Sequence, residues 1–275
     1  MYVTPKLSLT RESATLISYV GENDIEISYE KGGKYGDMYI RDYARYDADV
    51  VDKNGKLLHK EGDIKLTSAG TLNSSDSFNK YMGNMNSDFQ LSWSNTFTYK
   101  DFTLYFLING RIGGKVVSLT ERYLDIQGNS KRTGDAREYA ENWVNPETGK
   151  QGLYIKNGKL ISKEDGGTDH AMFINDGRDI ISVKEYYTKS SMEDYIYDAT
   201  NFRLRELSLG YTFRNLFGNY KNLNISFVCR NLFFLYREAP VDPDISVSTG
   251  NGLGGVDLFN YPSARSFGLN IKVNL

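Results

Sequence analysis

Residues 266–275 read Ser-Phe-Gly-Leu-Asn-Ile-Lys-Val-Asn-Leu, and this stretch decides the fold class. Phe267, Leu269, Ile271, Val273 and Leu275 alternate with Ser266, Gly268, Asn270, Lys272 and Asn274. Successive side chains of a strand point to opposite faces, so a strict period of two gives one apolar face and one polar or small face. Residues 88–99 repeat the pattern. Phe89, Leu91, Trp93, Phe97 and Tyr99 stand against Asp88, Gln90, Ser92, Ser94, Thr96 and Thr98, with Asn95 the one polar intruder. Lys100-Asp101 reads as a tight turn, after which Phe102, Leu104, Phe106, Ile108 and Ile112 carry a strand to Gly113-Gly114. Residues 207–213 and 223–229 alternate in the same way, the first from Leu207 to Phe213 and the second from Leu223 to Cys229. The phase slips between Leu204 and Leu207, which predicts a bulge there.

The composition agrees. There are 21 Tyr, 14 Phe and 2 Trp, with 26 Gly and only 5 Pro, a mix that suits long strands joined by turns. A net charge of −2 argues against a nucleic-acid protein, which needs a basic excess or stripe. The single Cys229 excludes an internal disulfide and any cysteine-based zinc site. His59 and His170 are the only histidines, and they leave no HExxH and no cluster. No apolar run reaches the ~18 residues of a membrane helix, and no basic start with an apolar core marks a signal peptide. The mean hydropathy of −0.50 is that of a water-soluble chain. Membrane barrels, however, alternate apolar and polar residues and score low in any window.

The N-terminal third is weaker. Ile25, Ile27 and Tyr29 alternate with Asp24, Glu26 and Ser28, and Leu7 and Leu9 open a strand toward Tyr19. Segments 38–51 and 56–68 flank Lys53-Asn54-Gly55, and Asn-Gly is the strongest short hairpin signal. In all, about nine strands are expected. Turns at 20–23, 52–55, 100–101 and 214–221 are short, whereas connectors at 31–37, 69–87, 115–201 and 235–264 are long. Short turns at one end and long loops at the other is the habit of outer-membrane barrels. Residues 115–201 are too long for plain coil. They hold a second Asn-Gly hairpin around Asn157-Gly158 and two helix candidates near 134–142 and 183–190.

Alternation alone leaves two architectures open. A soluble sandwich or barrel packs the apolar face inward. A membrane barrel turns it to lipid and lines a wet lumen with the polar face. Three features favour lipid. Strands 88–99 and 265–275 have 12 and 11 residues, close to the 9–11 needed to cross a tilted bilayer. Aromatic residues gather at strand ends, as an interfacial girdle requires: Phe89, Tyr99, Phe102, Tyr211, Phe213, Phe233 and Phe234. The polar faces carry Ser, Thr, Asn, Gln, Gly and Lys throughout.

The C-terminal third adds a resemblance. Residues 198–213 (DATNFRLRELSLGYTF), 228–233 (VCRNLF), 240–254 (PVDPDISVSTGNGLG) and 262–275 (PSARSFGLNIKVNL) resemble the late-barrel strands of TonB-dependent outer-membrane receptors of the SusC/RagA type. So do 81–114, running from YMGNMNSDFQLSWSNTFTYKDF to GRIGG, and 119–137, LTERYLDIQGNSKRTGDAR. The resemblance implies a barrel of about 22 antiparallel strands around a plug. It also implies a TonB box reaching an inner-membrane motor, and a SusD-like surface lipoprotein that captures glycan or peptide. The sequence departs from that pattern in lacking a recognisable plug, TonB box and signal peptide. Residues 1–275 are therefore expected to be the C-terminal part of such a receptor, with 115–201 a long extracellular loop and Met1 not the native start. The expected fold is all-β, an antiparallel transmembrane β-barrel portion that is incomplete and sits in the bacterial outer membrane. The expected function is import of oligosaccharide or peptide, the TonB complex acting through a missing N-terminal part. The competing reading is a soluble β-sandwich that binds carbohydrate.

Individual residues support no enzyme. No pair of carboxylates is placed face to face by the sequence, so no catalytic residue, cofactor or metal ligand is assigned. Tyr186, Tyr187, Tyr195 and Tyr197 are the loop aromatics able to stack on sugar rings, although packing within the loop is the simpler reading. Phe267, Leu269, Ile271 and Val273 are expected to face lipid on the closing strand. Arg203, Arg205 and Glu206 read as charges at a strand's solvated end, with a lumen-facing cluster as the sharper alternative. Asp242 and Asp244 read as an acidic turn around Pro243 rather than a cation site, and residues 164–169 as a solvated loop rather than a calcium loop. Residues 248–255 lack the order of a phosphate-binding loop. Cys229 reads as a small hydrophobe on an apolar face.

Overall fold

The computed structural model describes residues 12–17, 25–29, 33–34, 36–74, 80–156, 158–214, 222–245 and 255–274, with backbone alone for 12–17, 25–29 and Asn274. The chain divides into two compact units, one built from 1–83 with 118–196 and the other from 84–117 with 197–275.

The second unit is built on five long strands: β1 (Phe89–Tyr99), β2 (Phe102–Ile112), β3 (Asn201–Phe213), β4 (Asn222–Arg237) and β5 (Ser266–Asn274). They lie in the order β5-β4-β3-β2-β1, each antiparallel to its sequence neighbour in this set. The register keeps the period of two in phase across the whole sheet. Phe97 faces Leu104, Leu104 faces Leu209, Leu209 faces Phe227, and Phe227 faces Leu269. A one-residue slip would scatter these side chains over both faces, so the apolar rows themselves specify the pairing. The Lys100-Asp101 turn forms as expected, with Lys100 at φ +53°. The expected bulge also forms: β3 shifts register between Leu204 and Glu206 against both neighbours. A further shift lies between Phe202 and Arg203, and Asn231 on β4 takes φ +53°. These irregularities break the alternation after Cys229, and β4 runs on to Arg237 where the sequence reading stopped.

Asn201 on β3 pairs with Arg111 on one side and Arg237 on the other. Connectors 113–200 and 238–265 therefore leave the same end of the sheet, and the Lys100-Asp101 turn closes the opposite end, where β3 ends and β4 begins. The sheet is open. Among the described residues, β1 and β5 each have a neighbour on one side only. No closed ring forms, and the expected nine-strand run is corrected to five long strands, with the shorter strands gathered in four further sheets. The phase of the polar/apolar repeat holds only over those five, because short strands carry too few residues to fix a shared register. A smaller sheet, with Lys115–Ser118 between Ile196–Asp198 and Val256–Asp257, accompanies a core of Val116, Ala199 and Ala239.

Among its described residues, the other unit mixes short strands with three α-helices. One four-stranded sheet runs Glu12–Ile17, Ile25–Tyr29, Asp37–Ile40, Lys80–Asn84. A second runs Lys159–Ile161, Tyr154–Lys156, Asp169–Ile174, Asp179–Ser182, and contains the expected hairpin around Gly158. Around Asn54-Gly55 the hairpin is real but short, Val50–Val51 against Leu57–His59. The helices are α1 (Leu119–Ile126), α2 (Lys131–Asn142) and α3 (Val183–Lys189). Each opens on a serine whose hydroxyl accepts a backbone N–H three residues on: Ser118 from Glu121, Ser130 from Thr133, Ser182 from Glu185. Such caps satisfy donors that the first helical turn leaves open. Two apolar clusters hold the unit, Tyr43-Leu72-Ile174-Ile181 and Ala140-Leu153-Ala171. The predicted turn at 20–23, residues 215–221 of the predicted turn at 214–221, the loop tip 248–254, Asn157 and Leu275 lie outside the described residues.

Candidate functional site

The two faces of the five-stranded sheet differ in character. The first carries Phe89, Leu91, Trp93, Phe97 and Tyr99 from β1, and Phe102 and Leu104 from β2. It continues with Leu209 and Phe213 from β3, Phe227 from β4, and Phe267, Leu269, Ile271 and Val273 from β5. All are exposed, Tyr99 to 71%, Phe89 to 68% and Leu269 to 64%. With each aromatic able to bury 150–250 Å², the eight on this face leave roughly 900 Å² of apolar surface open. The largest patch on an ordinary monomer is about 300–600 Å². The rings touch across the strands, Trp93 edge-on to Phe106 at 5.0 Å and Phe102 edge-on to Tyr211 at 4.7 Å. Gly110 sits on this face because the ring of Phe202 lies over it, and a Cβ there would come within 2.6 Å of the ring. Cys229 is buried between Leu207 and Phe267, as a small hydrophobe would be.

The opposite face is mostly polar, with Leu107 and Val228 as apolar members. Thr103, Tyr105, Asn109 and Arg111 of β2 stand beside Ser92, Ser94 and Thr96 of β1, and Ser208, Glu206 and Arg203 of β3. Arg203 is not a solvated end charge: its side chain is only 4% exposed. Its Nη1 donates to Ser263 Oγ at 2.9 Å and to Asp242 Oδ2 at 3.3 Å, and its guanidinium lies over the Phe234 ring at 4.4 Å. Arg205 Nη2 donates to Asp244 Oδ2 at 2.8 Å, and Glu206 pairs with Arg230 at 3.0 Å. Asp242 and Asp244 thus strap residues 240–245 to the polar face through two arginines. Burial alone would push the Asp242 carboxyl up. Hydrogen bonds from Ser263 and the Asp244 backbone, with the charge of Arg203, outweigh it and hold the carboxyl below the usual range.

The four loop tyrosines separate. Tyr186 and Tyr187 meet edge to face at 5.2 Å. Tyr186 packs against the Tyr43-Ile174 cluster, and burial pushes its hydroxyl up to about 12. Tyr187 lines a cavity of about 270 Å³ with Asp125, Thr133, Arg137, His170 and Lys184. Tyr195 is fully buried and presents no open face. Its hydroxyl donates to Asp125 Oδ2 at 2.8 Å, and its ring lies near the guanidinium carbons of Arg132 and Arg122, at 4.8 and 5.4 Å. Arg132 Nε also reaches Asp125 Oδ2, at 2.6 Å. Tyr197 belongs to the other unit, against Val116, Ala199 and Ala239. The sequence reading missed this Asp125-Arg122-Arg132 network because it missed α1. The signal was present: Ser118-x-x-Glu121 is a capping box.

The remaining polar candidates have protein partners. Asp165 pairs with Lys150 at 2.7 Å and accepts from Ser162, so 164–169 is a braced turn. His59 stacks on Tyr46 at 4.4 Å with Nδ1 3.3 Å from Asp179, and His170 Nε2 lies 3.1 Å from Glu141. Among the described residues, no three His, Cys, Asp or Glu side chains converge to hold a metal ion.

No protein-family model matches the chain, and no curated protein matches it. Among solved structures it is similar to the RagAB peptide importer in its closed-closed state, at 12% identity and a TM-score of 0.42. It is similar also to a structure of the RagAB peptide transporter, at 14% and 0.42, and to the importer's open-open state, at 12% and 0.41. These matches cover 94%, 94% and 96% of this chain and 28%, 28% and 27% of those chains, so the chain spans little more than a quarter of their length.

Proposed function

We propose that this chain is part of a TonB-dependent outer-membrane transporter of the SusC/RagA type. It would import oligosaccharide or peptide with a SusD-like lipoprotein at the cell surface. Its role is passage, not catalysis, and the TonB complex would act through parts of the receptor beyond this chain. The observation that carries the reading is the exposed apolar face of β1–β5, backed by a polar face on the same strands. A soluble sandwich would bury those side chains against a second sheet. Eleven residues at about 3.3 Å each, tilted about 45°, rise roughly 26 Å, close to the ~25 Å apolar band of such barrels. The two long connectors leave one end of the sheet, as extracellular loops do, and the short Lys100-Asp101 turn closes the other. Open strand edges are not tolerated in hydrocarbon, so in a membrane β1 and β5 would pair with further strands of the barrel.

Trp93, exposed on the apolar face, supplies the test. The full chain carrying Trp143→Phe, which leaves Trp93 as its one tryptophan, is folded from urea into vesicles of lipids brominated on their acyl chains. Strong quenching of Trp93 is expected. A monodisperse, folded chain in plain buffer with unquenched Trp93 would overturn the proposal.

A further inference from the structure

We infer that the polar face of the five-stranded sheet holds a carboxylate-binding site centred on Arg111. Arg111 stands on β2 opposite Gln90 of β1 and Asn201 of β3, at the end of the sheet from which the long connectors leave. A polar pocket of about 250 Å³ opens there, and Ser92, Asn109, Arg205 and Asp244 supply the rest of its polar wall, with Leu91 and Gly110 beside them. Arg111 is held in place by two backbone carbonyls: Nη1 donates to Pro243 O at 3.0 Å and Nη2 to Met85 O at 2.9 Å. Neither partner carries charge. The nearby carboxylates are already engaged, Asp242 by Arg203, Asp244 by Arg205, and Asp198 by Lys115. Of the charged side chains on the pocket wall, Arg111 and Arg205 face one carboxylate, Asp244, a surplus of one positive charge. A guanidinium cannot shed its proton to escape burial, so the surplus is permanent.

Two buried atoms point to what fills the place. Arg111 Nε carries a hydrogen with no acceptor, and two residues along the same face Asn109 Oδ1 has no donor. A buried polar group left unmade costs on the order of 1–3 kcal/mol. The Asn109 amide turned end for end offers an NH₂ on the same face of β2, two residues along from Arg111, because the O and N ends of an amide exchange places by a simple rotation. Together they offer two donors and one positive charge to a single planar anion. A carboxylate matches that set in charge and in shape. Phosphate matches it less well, since a dianion exceeds the surplus and Asp244 stands on the pocket wall. The site deepens the transport reading by giving its solute an acidic group. That group would come from the free end of a peptide or from an acidic sugar.

The full chain, folded in detergent with ¹⁵N-labelled arginine, is titrated at constant ionic strength while the Arg111 Nε–H resonance is followed, assigned by its loss in Arg111→Gln. The probes are N-acetylalanine, its methylamide, glucuronate, glucose and inorganic phosphate. A saturable shift with N-acetylalanine or glucuronate, at least tenfold stronger than with its neutral counterpart, is expected, and the tighter of the two names the source. Asn109→Ala should weaken that response at least threefold. Arg111→Lys keeps the charge and guards against loss of fold, and should weaken it about tenfold. No difference between charged and neutral probes, or phosphate binding as tightly as the carboxylates, would overturn the site. Trp93 quenching by brominated lipid in a parallel sample separates the two claims. Quenching with no carboxylate response sinks the site alone, and the reverse sinks the transport reading alone.

Discussion

Ile271→Lys and Asn270→Lys place the same cation on adjacent residues of β5 and on opposite faces of the sheet. Ile271 is 59% exposed on the apolar face and pairs with Ile225, whereas Asn270 pairs with Ser226 on the polar face. Each residue of a strand tilted about 40° advances roughly 2.6 Å across a bilayer. Ile271 then lies roughly 13 Å from the level of Ser266 and about 8 Å from that of Asn274, well inside the apolar band. A lysine at the midplane costs about 2–4 kcal/mol, falling toward 0–1 at the interfaces, so about 2–3 applies here. Loss of the Ile271–Ile225 cross-strand contact adds a few tenths, within the range of about 0.2–1 kcal/mol for such pairs. Asn270→Lys meets water and costs only weak repulsion from Lys272 on the same face, about 0.5 kcal/mol or less. The two variants should therefore differ by at least about 2 kcal/mol, near thirtyfold in the folding equilibrium. Urea titration of the chain into vesicles reads this directly, and a heat-modifiability gel reads it as yield. Variants equal within about 0.5 kcal/mol, or a worse Asn270→Lys, would refute both the orientation and the membrane reading.

Three further outcomes follow from buried or paired charges. Arg203→Met leaves Asp242 buried with only Ser263 and backbone donors, and should cost about 3 kcal/mol, the low end for breaking a buried pair; faster hydrogen exchange confined to 240–245 and 263 is the signature, and Arg203→Met with Asp242→Leu should recover much of the loss. Asp63 is held below the usual carboxylate range, first by the hydrogen bonds that Arg178 donates at 2.8 and 2.7 Å. A lowered folded value means that its contribution is present above about pH 4 and is lost as pH falls through the lower folded value. Exchange of the Lys60 and Ile64 amides should rise over that acid window in the parent and not in Asp63→Asn. Tyr195→Phe removes the hydroxyl donated to Asp125 and should lower stability by about 1.5–3 kcal/mol, as for hydrogen bonds to charged groups; a thermal melt unchanged within 2 °C would count against the network.

The large sheet was legible because its signal is local and redundant. Phe89 to Tyr99 and Phe267 to Val273 each state their face several times over, and the register needs only that apolar rows meet. The slip between Leu204 and Leu207 was readable as a bulge for the same reason: a break in period two has few other causes. Legibility ended where the repeat did. β4 continues from Cys229 to Arg237, but its irregularity near Asn231 interrupts the alternation, and Phe233-Phe234 then look like a strand end. The N-terminal third misled in the opposite sense. Its segments have β-type composition, yet strands such as Val50–Val51 and Leu57–His59 are too short to carry a phase. Helix α1 was missed because Leu119–Ile126 is only eight residues long and buries two charged side chains, Arg122 and Asp125, where a helix's apolar stripe is expected, although its capping box was in plain view.

The wet face was a different problem, and its difficulty explains where the function lies. Period two assigns Arg111, Arg203 and Arg205 to a polar face, and polar residues there need no partner to be tolerated. What makes them informative is which carboxylates reach them, and those come from a connector dozens of residues away: Asp242 to Arg203, Asp244 to Arg205, and only a carbonyl, that of Pro243, to Arg111. Charge counting along the sequence near Arg203 finds Glu206, which in the fold turns instead to Arg230. The lipid-type face is thus fixed by side-chain alternation alone, while the wet face acquires its electrostatics only when 240–245 folds back over it. An unbalanced arginine in that setting cannot be found by composition, which is nearly neutral for the chain as a whole. It emerges from geometry, as the one guanidinium of the three whose described hydrogen-bond partners are all uncharged.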